Sequence, residues 1–536
     1  MNSGASSNRC LWPAILLAAI CLTLLPLLGP ARAGEPTVRI ADGRGDWGLP
    51  NPFHHYPRGP GYIHMSWVFD TLVWKDHRGE LVPALANSWA YEPQRQAFTF
   101  QMNPQAQWHD GTPVTAADVA FTIDLFQRHP TPWVNLKEIS HAEVTGSRQV
   151  TIFLRHPYAP FLADIGGTMP IMPAHIWREV EEPTSFTEPG AFIGSGPFRF
   201  IDFNKVQGTY LYEAFADYYQ GRPKAARLIY LRSSQPLVAL SRGEVDLAAI
   251  QPEMADALKK QNFTVLCDER GWNRKLMINH RRPPFSDRRF RQALAHAIDR
   301  EALIAQAQRG HARPASYGLL SKDHSLYNPD LPDYAPDPAK ARALLEEMGY
   351  TADAEGFYQL EGRPLIVELL VSNITAGGQS VPNRDGEKIR RQLARAGIRV
   401  ELVNMEQAVT DQRIRDWQFD LALSGHGGVA GDARILNEMI SPNYSGGSVN
   451  SARFDANPEL EELLATQLRA MEPDERRRLV HRIQELHALE LPAMPLYYPD
   501  ACVAYNPRLG IDWFYTPGGV GKGIPIPQNK LSVIGE

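Results

Sequence analysis

An α/β fold is the class this chain predicts, and three stretches carry the prediction. In "LIVELLV" and "RVELV", residues 365–371 and 399–403, aliphatic and β-branched residues form short apolar runs, and "EKIRRQLARAG" between them has helical spacing; strand, helix, strand is the unit of a parallel sheet. In "DPAKARALLEEMGY", Asp337 suits the N-cap, Pro338 the first helical position and Gly349 the left-handed turn that ends a helix. Ala341, Leu344, Leu345 and Met348 supply its buried face, as Phe290, Leu294, Ala297 and Ile298 do for an earlier helix. At 536 residues the chain has room for two or three domains, and no short repeat marks it as a solenoid.

From the amino terminus, Arg9 is followed by the apolar run "LWPAILLAAICLTLLPLLG" and by Ala31-Arg32-Ala33, a small-x-small cleavage site. Residues 1–33 therefore read as a signal peptide cleaved near Ala33, and the mature protein is expected to be periplasmic or extracellular. A retained anchor is the competing reading, against which Pro13, Pro26 and the cleavage signal argue. Without the leader, 53 basic and 60 acidic residues leave a net charge of −7, the opposite of the basic excess a nucleic-acid binder needs. Cys267 and Cys502 are the two cysteines left, too few for a disulfide framework or a multi-cysteine zinc site.

Several stretches invite an enzymatic reading. "NPFHHYPRGPGYIHMSW" holds His54, His55 and His64, which with His109 define the alternative from another class, a secreted metal-dependent hydrolase. Histidine pairs in a proline-rich loop are more often polar surface or cleft groups, so no metal is expected there. "HRIQELH", residues 481–487, lacks the HExxH spacing that sets two histidines on one helical face beside a glutamate. "GGVGKG" puts Gly523 where a phosphate loop needs Ser or Thr and lacks the upstream glycine. No Gly-x-Ser-x-Gly elbow is present. The expectation is a protein without catalytic residues, metal or cofactor.

"WHDGTPVTAADVAFTIDLF", Trp108–Phe126, sets His109 beside Asp110 in a tight turn, after which Thr115 caps a helix with Asp118 in capping-box spacing and Val119, Ile123 and Phe126 on its apolar face. The pair reads as a turn, since a catalytic dyad also needs a positioned nucleophile or metal. This stretch resembles the Trp-x-Asp-Gly-x-Pro-x-Thr-Ala-x-Asp-Val signature of the family 5 extracellular solute-binding proteins, which deliver dipeptides, oligopeptides or nickel chelates to ABC importers. "VFDTLVWKDHRGELVPALANSW", "IGSGPFRF", "LMINHRRPPFSDRRFRQALAHAIDREALI", "YAPDPAKARALLEEMGY" and "LPAMPLYYPD" continue the family's blocks in order, from about residue 67 to 500.

The resemblance implies a two-lobed periplasmic-binding-protein fold of type II, with a ligand cleft between the lobes. Lobe I would comprise 34–75, 190–278 and 497–536, with 76–189 as its inserted subdomain, and lobe II 279–496. It implies a monomer that captures a peptide or peptide-like solute and docks on an ABC permease in the inner membrane. A nickel chelate, an opine or an oligosaccharide is the alternative ligand. His55, Tyr56 and Tyr62 would face the cleft mouth. Under the same layout Cys267 and Cys502 both fall in lobe I, and a disulfide is expected in an oxidising compartment.

The ligand loop departs from the family. In "FDLALSGHGGVAGDARILNEM", Val429 stands where peptide binders carry the aspartate that holds a free amine, and Asn103 replaces a common cleft arginine. Di- and tripeptides with free amines are therefore expected to bind poorly. The glycines around 425–431 read either as turn punctuation or as room and N–H donors for a ligand. On the second reading Gly427, Gly428, His426, Asp432 and Arg434 contact it.

Overall fold

A computed structural model of the chain describes residues 36–535 apart from 132, 373, 377, 378 and 382; the expected leader and its cleavage point at Ala33 lie outside the described residues. The first large sheet has seven strands in the order Thr264–Asp268, Ala501–Tyr505, Leu247–Ile250, Thr37–Asp42, Arg227–Arg232, Thr209–Ala214 and Phe198–Asn204. Its middle is parallel, Thr37–Asp42 running alongside both Arg227–Arg232 and Leu247–Ile250. Val38 and Ile40 alternate into the core as strand periodicity requires.

The second sheet has six strands in the order Ala312–Pro314, Ala493–Pro499, Trp272–Ile278, Leu421–Gly427, Ile366–Ser372 and Arg399–Met405. The strand–helix–strand unit read from the sequence sits here: Ile366–Ser372 and Arg399–Met405 pair in parallel, joined through the helix Arg384–Arg395. Separate apolar clusters cover the two faces, one around Phe290, Leu345 and Ile389, the other around Leu436, Leu464 and Val480. In the helix Pro338–Glu347 the Asp337 carboxylate accepts from the N–H groups of Ala339 and Lys340, and Gly349 has φ +90°.

A third, antiparallel sheet, Ala86–Glu92, Ala97–Met102, Gln149–Leu154 and Ile139–Gly146, carries the helix Ala116–Arg128 on one face. A capping box joins Thr115 and Asp118: the Asp118 carboxylate accepts the Thr115 N–H at 2.7 Å and its hydroxyl at 2.8 Å. The other carboxylate oxygen takes the N–H of Ala174 at 2.9 Å, so Asp118 also ties down the next segment. His109 is buried, its Nε2 2.9 Å from the Gly196 carbonyl.

Between the two large sheets the chain crosses at Glu269–Gly271 and at Asp500. This corrects the boundaries expected at 278 and 497, because Trp272–Ile278 and residues 497–499 are strands of the second sheet. Cys267 and Cys502 lie opposite each other where both crossings leave the first sheet and are joined by a disulfide, their Cα atoms 4.1 Å apart. Among the described residues no helix is long and apolar enough to cross a membrane.

Candidate functional site

A cavity of about 950 Å³ opens between the two large sheets and the inserted sheet, within the range of small-molecule sites. Lys75 and Gly79 line it from the first sheet's side, Ala159 and Ala163 from the inserted part, and His324, Asp432 and Arg476 from the second sheet's side. The loop Thr516–Gly519 closes another wall. A small recess adjoins it, lined by Ala163, Asp164, Gly428, Asp432, Arg434 and Lys522.

Two glycine-bearing loops from opposite lobes meet here backbone to backbone. A side chain on Gly523, at φ +82°, would lie 2.9 Å from the Cα of Gly428, and one on Gly518, at φ +76°, 2.9 Å from the Ala430 carbonyl. Neither position leaves space for a Cβ, and both have the backbone conformation that favours glycine. The loop glycines thus permit a close approach of the lobes, a role that neither turn punctuation nor ligand space describes.

Around the recess the charges are interlocked. Arg476 forks onto Asp432 with contacts of 2.9 and 2.6 Å, and the N–H of Arg434 donates to the same carboxylate at 2.7 Å. Burial works against the charged form of Asp432, but the Arg476 guanidinium outweighs it and lowers the pKa. Nε of Arg434 lies 3.0 Å from Oδ1 of Asp164; that oxygen receives no aligned hydrogen bond, so the contact is ionic. The other Asp164 oxygen accepts from the Tyr158 hydroxyl at 2.6 Å. Burial alone would raise Glu438, yet His426 at 3.1 Å and Arg434 hold it down at about 2.

Of the residues singled out from the sequence, Gly428, Asp432 and Arg434 line the recess, and Asp432 also the cavity. His426 stands one layer back on Glu438, and Gly427 lies beneath the ring of Trp272. His55, Tyr56 and Tyr62 line neither space. Tyr62 is fully buried with its hydroxyl on the Thr168 carbonyl at 3.0 Å, and its ring backs Gly521. His55 packs against Tyr62 and Trp133, and burial lowers it to about 4 despite the Tyr56 carbonyl. Tyr56 stacks under Arg44, 3.8 Å away. The rings packed around His55 and Tyr62 turned them inward, whereas Tyr56 stays half-exposed beneath Arg44. Among the described residues no three His, Cys, Asp or Glu side chains converge as metal ligands. His64 bonds the Tyr212 hydroxyl at 2.7 Å, and His54 the Asn51 side chain and the Thr184 carbonyl.

Sequence reasoning missed Lys75, His324, Arg476 and Lys522. Lys522 sits in "GGVGKG", set aside as a failed phosphate loop, and the others come from segments with no local motif. His324 reaches the Gly431 carbonyl at 2.7 Å.

Two lobes enclosing a cavity with charged groups on its wall, at a double crossing of the chain, define a solute-binding protein of the periplasmic type. The model of the bacterial extracellular solute-binding proteins, family 5 (middle), matches residues 80–447, and the chain belongs to that family. It is 25% identical over 495 residues to heme-binding protein A of Haemophilus influenzae, covering 85% of this chain and 87% of that protein. It is 27% identical over 451 residues to di/tripeptide-binding protein 2 of Pseudomonas aeruginosa, covering 78% and 81%. NikA from Brucella suis, solved in complex with Fe(III)-EDTA, shares the fold with a TM-score of 0.78 at 23% identity, over 92% of this chain and 100% of that one.

Proposed function

We propose that this chain is the capture component of an ABC import system, closing its lobes on a peptide or peptide-like solute and presenting the closed form to a permease. The observation that carries this reading is the cavity of about 950 Å³ walled by residues from all three sheet-bearing parts, a volume suited to a few residues of peptide. Gly428, Asp432 and Arg434 belong to the ligand wall on this reading, with Lys75, His324 and Arg476 added to it. Closure without chemistry is the role, so no catalytic turnover is expected. The protein works as a monomer outside the cytoplasm, its leader removed near Ala33. Residues from the start of the mature chain to 75, 190–268 and 501–536 form lobe I, 76–189 its inserted part and 272–499 lobe II.

Native mass spectrometry of freshly purified protein tests this directly. A retained solute of a few hundred daltons, released on denaturation and rebound on refolding, is the expected result. Turnover with stoichiometric bound zinc would instead establish the hydrolase reading.

A further inference from the structure

The charged groups facing the cleft do not balance, and the imbalance has a direction. Asp432 is committed to Arg476, Asp164 to Arg434 and Tyr158, and Asp323 and Glu269 to Arg270 at 2.5 and 3.5 Å. Asp268 is the remaining lining carboxylate; one of its oxygens is buried and unbonded, and burial raises its pKa. On the cationic side Lys75, Lys522 and Arg477 line the cavity or its recess, and none of them forms an ion pair among the described residues. Arg477 donates to the Ser325 carbonyl at 2.5 Å.

Lys75 and Lys522 are half-buried amines. Removal from water lowers the pKa of each; Asp432 offsets this in part for Lys75, and Asp164 and Glu438 for Lys522. An ammonium held in such surroundings is stabilised by an arriving anion more than by anything already present. An arriving ammonium would instead find Asp432, Asp164, Asp323 and Glu269 engaged by arginine, where breaking a buried pair to free one costs several kcal/mol, and the unbonded oxygen of Asp268 buried out of contact with the cavity's solvent. Arg434, read from the sequence as a ligand contact, is itself held by Asp164 and Glu438 at 3.0 and 3.6 Å.

From this accounting we infer that the solute is a carboxylic acid whose carboxylate seats against Lys75, with Lys522 and Arg477 as the further cations, and that no site for a free α-amine is built. The inference rests on the proposed reading of the cavity as the ligand site. It names a class within that reading: N-blocked peptides or other amine-free carboxylic acids.

Calorimetry on the full mature chain tests it with three tripeptide pools: N-acetylated with a free carboxylate, N-acetylated and amidated, and free-amine amidated. The expected result is that the acetylated acids bind at least tenfold more tightly than either amidated pool. Lys75→Met abolishes that preference, and Lys75→Arg keeps most of it, with both variants melting within a few degrees of the parent. Equal or tighter binding of the free-amine amides, or a preference untouched by Lys75→Met, overturns the inference and leaves the solute-binding reading standing. If no pool binds, native mass spectrometry decides. A retained carboxylic acid lost from Lys75→Met supports the inference, and a retained neutral or cationic solute overturns it. No retained solute and no binding in any arm removes the solute-binding reading as well.

Discussion

Arg434 and Asp164 face each other across the cleft, Nε to Oδ1 at 3.0 Å, one from the second lobe and one from the inserted part. Nearby the N–H of Ala159 donates to the Leu468 carbonyl at 2.7 Å, so a backbone bond spans the same gap. The lobes are therefore held shut by their own residues as well as by any ligand.

Asp164→Ala should loosen that latch. It leaves the Arg434 guanidinium with Glu438 alone and frees the Tyr158 hydroxyl. The expected outcome is a larger radius of gyration in small-angle scattering of the ligand-free protein and an affinity lower by about tenfold, or ~1.4 kcal/mol. Unchanged scattering would mean that the ion pair does not contribute to closure.

Gly523→Ala tests the backbone contact between the loops. The added methyl cannot avoid the Cα of Gly428 without moving one loop, and φ at Gly523 is +82°. Closure should weaken in the same scattering measurement, since parting the lobes relieves the clash with Gly428, and the unfolding temperature should fall by a few degrees, since the positive-φ strain of about 1–3 kcal/mol stays in either form.

For the helix start, Asp118→Ala should be more destabilising than Thr115→Ala. Losing the threonine costs about 1 kcal/mol of capping; losing the aspartate also leaves the N–H groups of Thr115 and Ala174 without their partner and costs roughly 2–3 kcal/mol. His109→Ala should lower stability and leave affinity within about threefold, because the ring is buried away from the cavity. Urea unfolding and calorimetry of the three variants separate these effects.

Reduction of the disulfide should act on both stability and motion. The bond spans 235 positions, and on the chain-entropy model such a loop contributes about 5 kcal/mol, an upper figure. Because it clamps both crossings at the edge of the first sheet, Cys502→Ser should also broaden the distribution of lobe orientations. Non-reducing peptide mapping and melting with and without reductant check the first point, and scattering the second.

Stability should fall on acidification below about pH 6.5. Burial lowers His55, His109, His280 and His487 to about 4 and His64 to about 3, against an ordinary value of 6.5. Between those limits the unfolded chain binds protons that the folded chain refuses. Each such histidine then removes up to about 1.4 kcal/mol per pH unit as pH drops. Below pH 4.5 the loss of Glu438, held at about 2, adds in the same direction. A urea midpoint that stays flat from pH 7 to 5 would contradict this.

By itself the sequence determined the elements with local causes. Asp337, Pro338 and Gly349 mark the ends of one helix, and the apolar runs around 365–403 make a parallel strand pair, because caps and periodicity act over a few residues. The ordered motif blocks likewise carried the family. The cavity wall was legible only in the loop 426–434, and there incompletely. His55 and Tyr62, read as ligand-facing, were drawn into aromatic packing with Trp133 by contacts tens of residues away. Lys75, His324, Arg476 and Lys522 share no local pattern, and only the double crossing between the sheets brings them to one cavity. Which acids remain free to meet a ligand is likewise a tertiary matter: Arg476 and Asp432 are 44 positions apart, and a charge is cancelled by whatever folds against it, not by its neighbours in the chain.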